Sequence, residues 1–186
     1  AWSAYGYELD VHAGYLTPRR SIGGLRADAG LRAEVDRTRI QLETASARTV
    51  ARLFPSISGE WIDARRALVY RLAYSRGINR PGSAMLNPFS MGRDEVDEIV
   101  GSPSLSPEVS DQLEFGVERH HPRLALQLTP FLRSTRDPIR QVKAATASGG
   151  ATTTLRNLGR ARTMGAEGSV RARPEAGTVA TLAGTV

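Results

Sequence analysis

The sequence predicts an all-β protein: an antiparallel, up-and-down segment of about eight strands from a transmembrane β-barrel. Three observations support this fold class. Apolar and polar residues alternate with a period of two over long stretches, the connections between the stretches alternate between short and long, and no clear amphipathic helix is present. Because a β-strand places successive side chains on opposite faces, each stretch has one apolar and one polar face.

The clearest alternation runs from Gly23 to Asp36. One set of positions is apolar or small and includes Leu25, Leu31 and Val35, whereas the other set is charged or glycine. At about 3.3 Å per residue, a strand of this length crosses a membrane at a tilt. We expect the polar set to face a water-filled lumen. Its lumen-lining candidates are Arg26, Asp28, Arg32 and Glu34.

The same alternation recurs along the rest of the chain. Four further stretches show it clearly: 68–75, 112–118, 124–133 and 163–173. Three more show it weakly: 3–9, 54–61 and 178–186. These stretches bring the predicted count to about eight strands. Their polar positions add four lumen-lining candidates: Arg71, Glu114, Glu118 and Glu167.

The connections fall into two length classes. Three are short: 63–66, 120–123 and 174–177. Three are long: 38–50, 76–110 and 134–156. Outer-membrane barrels have tight periplasmic turns at one end and long extracellular loops at the other. We therefore assign the long connections to the extracellular side and expect them to be the mobile part. A soluble β-sandwich has the same two-faced strands, but irregular connections beyond about 12–15 residues are uncommon in compact domains.

Composition excludes several classes of protein. The 186 residues contain no cysteine, so disulfide scaffolds, thiolate metal sites and cysteine nucleophiles are impossible. No apolar run reaches the roughly 18 residues of a membrane-spanning helix. The net charge of +6 would be typical of a nucleic-acid-binding protein. However, 24 of the 25 basic residues are arginines, and they are scattered along the chain rather than clustered. We therefore expect no nucleic-acid partner.

Catalytic and metal-binding motifs find no support. No phosphate loop, nucleophile elbow or HExxH motif occurs, so we expect no enzyme activity, no metal site and no cofactor. The acidic run around Asp94, Glu95 and Asp97 lacks the spacing of a calcium loop, and a solvated charge run is the favoured interpretation. His120 and His121 are adjacent and point in different directions, which favours exposed turn residues over a chelating pair.

A resemblance to a known family is carried by an ordered series of motifs. Residues 71–89 (RLAYSRGINRPGSAMLNPF) and 101–118 (GSPSLSPEVSDQLEFGVE) resemble the late-barrel region of TonB-dependent outer-membrane receptors. Segments 30–34, 53–58 and 156–167 match the same family in the same order. Departures from its pattern include Ser102 before Pro103, Gln112-Leu113 in place of a tyrosine, and Met164.

This resemblance implies a function. Such receptors are barrels of about 22 strands, closed by an N-terminal plug, that take up a scarce ligand with energy from the TonB–ExbB–ExbD complex. Residues 1–186 would be a partial barrel domain in the outer membrane of a Gram-negative bacterium, without plug or final strands. The ligand would be a siderophore, another metal chelate, an oligosaccharide or a peptide. Candidate residues of an extracellular ligand loop are Asn79, Arg80, Met85, Asn87, Phe89, Asp94 and Glu95.

Two alternatives remain open from the sequence. One is a small stand-alone outer-membrane barrel of eight strands that serves as an anchor or adhesin. It requires the first and last strands to pair with each other. The other is a soluble basic β-sandwich that binds a partner, which predicts solubility without detergent.

Overall fold

The computed structural model describes residues 5–42, 46–89, 97–145, 150–173 and 179–185. Strands dominate these residues, as the period-two alternation predicts. The strands are β1 (Gly6–Leu16), β2 (Arg19–Ile22), β3 (Leu25–Gln41), β4 (Ser46–Asp63), β5 (Leu68–Asn79), β6 (Asp97–Val100), β7 (Glu108–His121), β8 (Leu124–Arg136), β9 (Ile139–Ala145), β10 (Ala151–Asn157), β11 (Arg160–Ala172) and β12 (Ala180–Thr185). One short helix, α1, spans Ser83–Leu86.

The main sheet is antiparallel and up-and-down. Its strands follow the order β1, β3, β4, β5, β7, β8, β11, β12, and β2 pairs with β3 on the same edge as β1. β1 and β2 keep one register, with Leu16 opposite Leu31 and Arg19 opposite Asp28. They are interrupted at Pro18, which has no N–H to donate to the ladder. Counted as one strand, they make the sheet eight strands wide, which confirms the predicted number.

The sheet is open over the described residues. β1 pairs only with β3, and β12 pairs only with β11. A stand-alone eight-stranded barrel needs these two edges to pair, since closure is what removes the edges of a barrel. The described strands therefore form an open sheet, and the stand-alone alternative gains no support from their pairing.

Short turns join strands at one end of the sheet. Gly23, with φ of 57°, turns the chain from β2 into β3. After β4, the Asp63 carboxylate accepts hydrogen bonds from the backbone N–H groups of Arg65 and Arg66, both at 3.1 Å. Pro122 and Arg123 form the turn between β7 and β8. These positions confirm the short connections predicted at 63–66 and 120–123.

The long connections differ from the expectation in two places. The predicted loop 38–50 is wrong, because β3 continues to Gln41 and β4 begins at Ser46. Polar residues occur on both faces there and apolar Ile40 lies on the otherwise charged face, so the alternation fades while backbone pairing continues. The connection 134–156 contains the hairpin β9–β10, and β6 pairs with β10 in parallel. A second sheet of three strands thus lies at the long-loop end of the main sheet. The sequence predicts mobile loops there and no second sheet.

The buried apolar core lies under these loops rather than within the main sheet. Ile40, Leu86 and Leu105 form a buried cluster, and partly buried side chains surround it, including Tyr7 and Ile139. Phe54 on β4 is also buried, whereas many other large apolar side chains of the main sheet are exposed, among them Leu72, Leu128 and Met164. In the part of the chain that the structure describes, no helix is long and apolar enough to cross a membrane.

Candidate functional site

Register divides the main sheet into an apolar face and a charged face. Residues that lie directly opposite on paired strands share a face. On the apolar face, Leu72 of β5 lies opposite Phe115 of β7. Leu128 of β8 lies on the same face, opposite Val117, and is 54% exposed. The charged face carries the other set of positions. All eight predicted lumen-lining residues lie on this charged face: Arg26, Asp28, Arg32, Glu34, Arg71, Glu114, Glu118 and Glu167.

An ion-pair ladder crosses three strands of the charged face. Arg71 on β5 donates through Nε to Glu60 Oε2 on β4 at 3.0 Å, and through Nη1 to Glu118 on β7. Its side chain is about half exposed. Solvated pairs of this kind contribute little to stability, typically about 0–1 kcal/mol. The ladder therefore keeps a polar surface ordered rather than holding the sheet together.

A second ion-pair cluster is buried at the long-loop end of the charged face. The side chain of Glu34 is fully buried and that of Asp36 is nearly so. Arg80, the first residue after β5, donates through Nη2 to Glu34 at 2.5 Å and to Asp36 at 3.1 Å. Arg32 also pairs with Glu34, and Arg52 with Asp36. We call these five residues the buried ion-pair cluster.

This cluster attaches the described part of the loop 80–107 to the charged face of the main sheet. Pro81 is buried, and Leu86 and Leu105 pack against Ile40 on the charged face of β3. The chain returns close to α1 at Gly101, where an added Cβ would lie 2.5 Å from the carbonyl oxygen of Asn87. Only glycine fits this approach. The residues of this segment that carry the family motif therefore stabilise the conformation of the loop itself.

The two long loops are joined to each other by side chains. The Asn157 amide accepts from the N–H of Ser106 at 2.8 Å and donates to the carbonyl oxygens of Ser106 at 2.9 Å and Asp137 at 2.7 Å. Glu108 accepts from the N–H of Ile139 at 2.5 Å. Together with the β6–β10 pairing, these contacts make the loops one unit, which we call the loop unit.

A cavity of about 200 Å³ lies between the loop unit and the charged face. Its polar lining includes Tyr7, Asp36, Arg48, Arg52 and Arg80, and Leu105 adds an apolar side. Arg52 and Arg80 are engaged in the buried ion-pair cluster, so among the described residues Arg48 is the one lining arginine without an ion pair. Arginine binds carboxylates and phosphates through paired hydrogen bonds, so this lining suits an anionic group of a small ligand.

The predicted ligand-loop residues separate in the structure. Arg80 lines the cavity, but its guanidinium is engaged in the buried ion-pair cluster. Asn79 donates to Glu108 at 3.0 Å, and the Asn87 side chain accepts from the N–H of Phe89 at 3.0 Å. Met85 is 41% exposed and lies outside the cavity. The remaining two fall outside the described residues: Asp94 and Glu95.

Sequence reasoning did not single out Arg48 and Arg52 as lining residues. Both fall near or within the predicted loop 38–50, where the extension of β4 was not recognised. Their even positions on β4 are on the same face as Glu60, so a longer β4 would have identified them. Among the residues that the structure describes, no group of three or more histidine or acidic side chains is arranged to hold a metal ion.

Comparisons with known proteins agree with this geometry. Residues 3–177 match a family described as the outer membrane protein beta-barrel family. Similar solved structures include the hemophore receptor HasR of Serratia marcescens, with 18% identity and a TM-score of 0.76 over 95% of this chain and 33% of that one. The siderophore receptor PirA from Pseudomonas aeruginosa has 16% identity and a TM-score of 0.67 over 99% and 43%.

A third similar structure is the copper transporter OprC, with 17% identity and a TM-score of 0.70 over 91% of this chain and 27% of that one. At these identities the likeness establishes the fold. The chain spans less than half the length of each of these three proteins. No curated protein matches the sequence.

Proposed function

Because the chain belongs to the outer membrane protein β-barrel family, we propose that it forms a sector of the barrel wall in a TonB-dependent receptor that takes up a scarce ligand. Its location is the outer membrane of a Gram-negative bacterium. The eight-stranded sheet corresponds to part of a barrel of about 22 strands. Its apolar face contacts lipid and its charged face lines the aqueous lumen, as the two faces of transmembrane barrels do.

The observation that carries this proposal is the cavity under the loop unit. A wall that served only as an anchor would need neither an ordered loop unit nor a polar cavity against the lumen side. Here Arg80, Leu86 and Leu105 bring the described residues of the loop, 80–89 and 97–107, over the charged face. The cavity lies at the long-loop end, where a ligand arriving from outside meets the barrel first.

The ligand class follows from the cavity and from the kind of receptor. A siderophore, another metal chelate, an oligosaccharide or a peptide fits the proposed role, and Arg48, the lining arginine without an ion pair in the described part of the chain, favours ligands with carboxylate, phenolate or phosphate groups. The similar structures are a copper transporter, a siderophore receptor and a hemophore receptor. Uptake would draw energy from the TonB–ExbB–ExbD complex, through a plug domain encoded elsewhere in the same reading frame.

Uptake by cells tests the proposal. A strain that lacks the full reading frame is compared with the complemented strain for accumulation of labelled ferric siderophores, copper chelates, haem and oligosaccharides. We expect the complemented strain to accumulate at least one of these, and a protonophore to abolish the difference because TonB coupling needs the proton-motive force. Equal accumulation of every compound by both strains would contradict a receptor function.

A further inference from the structure

An arginine-rich surface lies on the apolar face of the sheet, directly beyond its apolar side chains. One cross-strand row consists of Tyr74, Leu113, Leu132 and Met164, on β5, β7, β8 and β11. The next row toward the loop unit is Arg76, Asp111, Ser134 and Arg162. The row after that places Arg136 opposite Arg160. We call Arg76, Arg136, Arg160 and Arg162 the arginine belt.

The belt carries more positive charge than its neighbours neutralise. Asp111 is the single carboxylate in these two rows; it accepts from Arg76 Nε at 2.7 Å and lies 3.6 Å from Arg136. Within the described part of the chain, no ion pair joins Arg160 or Arg162 to a carboxylate. Both residues are exposed.

Like charges directly opposite each other on paired strands destabilise a sheet, and Arg136 and Arg160 are such a pair. The other half of the sheet is different. There Arg37 and Arg39 on β3 lie opposite Asp10 and Glu8 on β1, and Arg39 pairs with both carboxylates. Two arginines on β3 thus face two carboxylates on β1. On β11, Arg160 and Arg162 have no carboxylate partner among the described residues, so an external anion has a place to bind.

The height of the belt identifies the kind of anion. Two residues along a strand advance about 7 Å, and strands of such barrels tilt by about 35–45°, so on β8 and β11 the first belt row lies about 5 Å beyond the last apolar pair, Leu132 and Met164. On β5 and β7 the apolar residues Ile78 and Val109 lie one row beyond Arg76 and Asp111. The polar headgroup layer of a bilayer is about 5–7 Å thick on each side. Guanidinium groups at that height meet the phosphates of membrane lipids, and they bind phosphate through paired hydrogen bonds.

We propose that the arginine belt is a binding site for a phosphorylated lipid of the membrane leaflet on the long-loop side. Arg160 and Arg162 supply the unneutralised charge, Arg136 completes the group, and Met164 and Leu132 contact the acyl chains below. This site rests on the proposed lipid-facing orientation of the apolar face, but it does not depend on the ligand cavity, which faces the lumen.

The test uses the protein of the full reading frame in lipid nanodiscs. Retention of diphosphoryl lipid A is compared with retention of the same lipid after its phosphates are removed, and inorganic phosphate is added as a competitor. The variants are Arg160→Gln, Arg162→Gln and the double variant, which break no ion pair of the fold. Arg133→Gln is the control, because Arg133 lies beside the belt on β8 but on the charged face.

Each arginine near an anionic lipid surface contributes about fivefold in affinity. We expect each single variant to lose about that factor for the phosphorylated lipid, the double variant to lose more than either, and Arg133→Gln to bind as the unmodified protein does. Equal retention of phosphorylated and dephosphorylated lipid would overturn the proposal. So would a double variant with unchanged retention, displacement of the lipid by inorganic phosphate alone, or loss of self-association in the double variant with lipid retention intact.

Discussion

Arg80 links the loop 80–107 to the wall, because its guanidinium reaches two carboxylates on β3. Glu34 is 46 residues away in the chain, and its side chain is fully buried. A buried carboxylate without a partner destabilises a protein far more than an exposed pair stabilises it. The sequence predicts Arg80 as a ligand contact, whereas its main role in the structure is to position the loop unit.

Replacing this arginine gives the first prediction. Arg80→Met keeps the stem of the side chain but leaves Glu34 and Asp36 with only Arg32 and Arg52. We expect a loss of about 2 kcal/mol in the free energy that holds the loop closed, because a buried charge loses a hydrogen-bonded partner. Limited proteolysis of the loop 80–107 measures this loss as faster cleavage.

The matched control is Arg20→Gln, because Arg20 is exposed on β2 and lies far from the loop unit. Cleavage of Arg80→Met at the rate of the control would show that the buried ion-pair cluster does not hold the loop.

Tyr5 provides a pH-dependent contact of the same loop. Its hydroxyl donates to the carbonyl oxygen of Ser83 at 3.0 Å, and burial, with a smaller effect of Tyr7, raises the pKa of Tyr5 above its ordinary value of about 10. A raised pKa in the folded state means that the contact is fully present below pH 10 and is lost as the pH rises through the raised pKa. An ionised Tyr5 has no proton to donate to Ser83.

We therefore expect hydrogen exchange of α1 to accelerate above about pH 10, beyond the intrinsic increase with pH. In Tyr5→Phe this extra acceleration should disappear, and exchange at neutral pH should already be faster because the hydrogen bond is absent. Tyr15→Phe is the control, since Tyr15 is exposed on β1. The same alkaline acceleration in Tyr5→Phe as in the unmodified protein would exclude Tyr5 as its source.

At the scale of elements, the two long loops fold as one unit. The parallel pairing of β6 with β10 joins segments separated by the whole of β7 and β8. Asn157 adds three side-chain hydrogen bonds at the point where the hairpin returns to the wall. Because parallel pairing gives no local turn to set the register, these side-chain contacts position the strands.

Asn157→Ala should separate the two loops. Three hydrogen bonds of about 1 kcal/mol each are lost, and the backbone groups of Ser106 are left without their partners. We expect faster amide exchange at Ser106 and in β6 and β10, with unchanged exchange in β4 and β5. Arg156→Gln is the control, because Arg156 is exposed on the same strand. Unchanged exchange in Asn157→Ala would mean that strand pairing alone joins the loops.

At the scale of the whole molecule, burial is inverted relative to a soluble domain. Large side chains such as Leu72, Leu113 and Leu128 are about half exposed on one face, while the fully buried side chain is that of Glu34. An apolar surface of this extent marks an interaction site in a soluble protein. Here its continuity over the paired strands fits a wall that contacts lipid, and the alternative of a soluble basic sandwich does not agree with the family of the chain.

A charge placed on either face tests this arrangement. Leu128→Lys puts an ammonium group at the middle of the apolar face of β8, which costs about 2–4 kcal/mol at the midplane of a bilayer. Gln127→Lys adds the same charge to the adjacent residue, on the charged face beside Glu118. We expect the first variant to lower the fraction of folded, membrane-inserted protein, measured by the heat-dependent gel shift, and the second to leave it unchanged. Equal effects would contradict the assignment of the faces.

The sequence by itself determined the strands of the main sheet, their approximate number and the two faces of that sheet, but not the second sheet of β6, β9 and β10. The direction of a side chain in a strand depends only on odd or even position, so Arg71 and Glu118 could be assigned to one face before their pairing was known. Strand ends were harder to predict, because at the long-loop ends of β3 and β4 polar residues occur on both faces and apolar Ile40 lies on the charged face. There backbone hydrogen bonds continue without an apolar pattern to reveal them.

Only the tertiary structure decided which distant residues meet. Loop packing and strand register bring together three pairs: Arg80 contacts Glu34, Asn157 hydrogen-bonds to Ser106, and Arg136 lies opposite Arg160. None of these three contacts leaves a periodic signal in the sequence, because each joins residues that are far apart along the chain. For that physical reason the wall could be predicted from the sequence, whereas the cavity and the arginine belt required the structure.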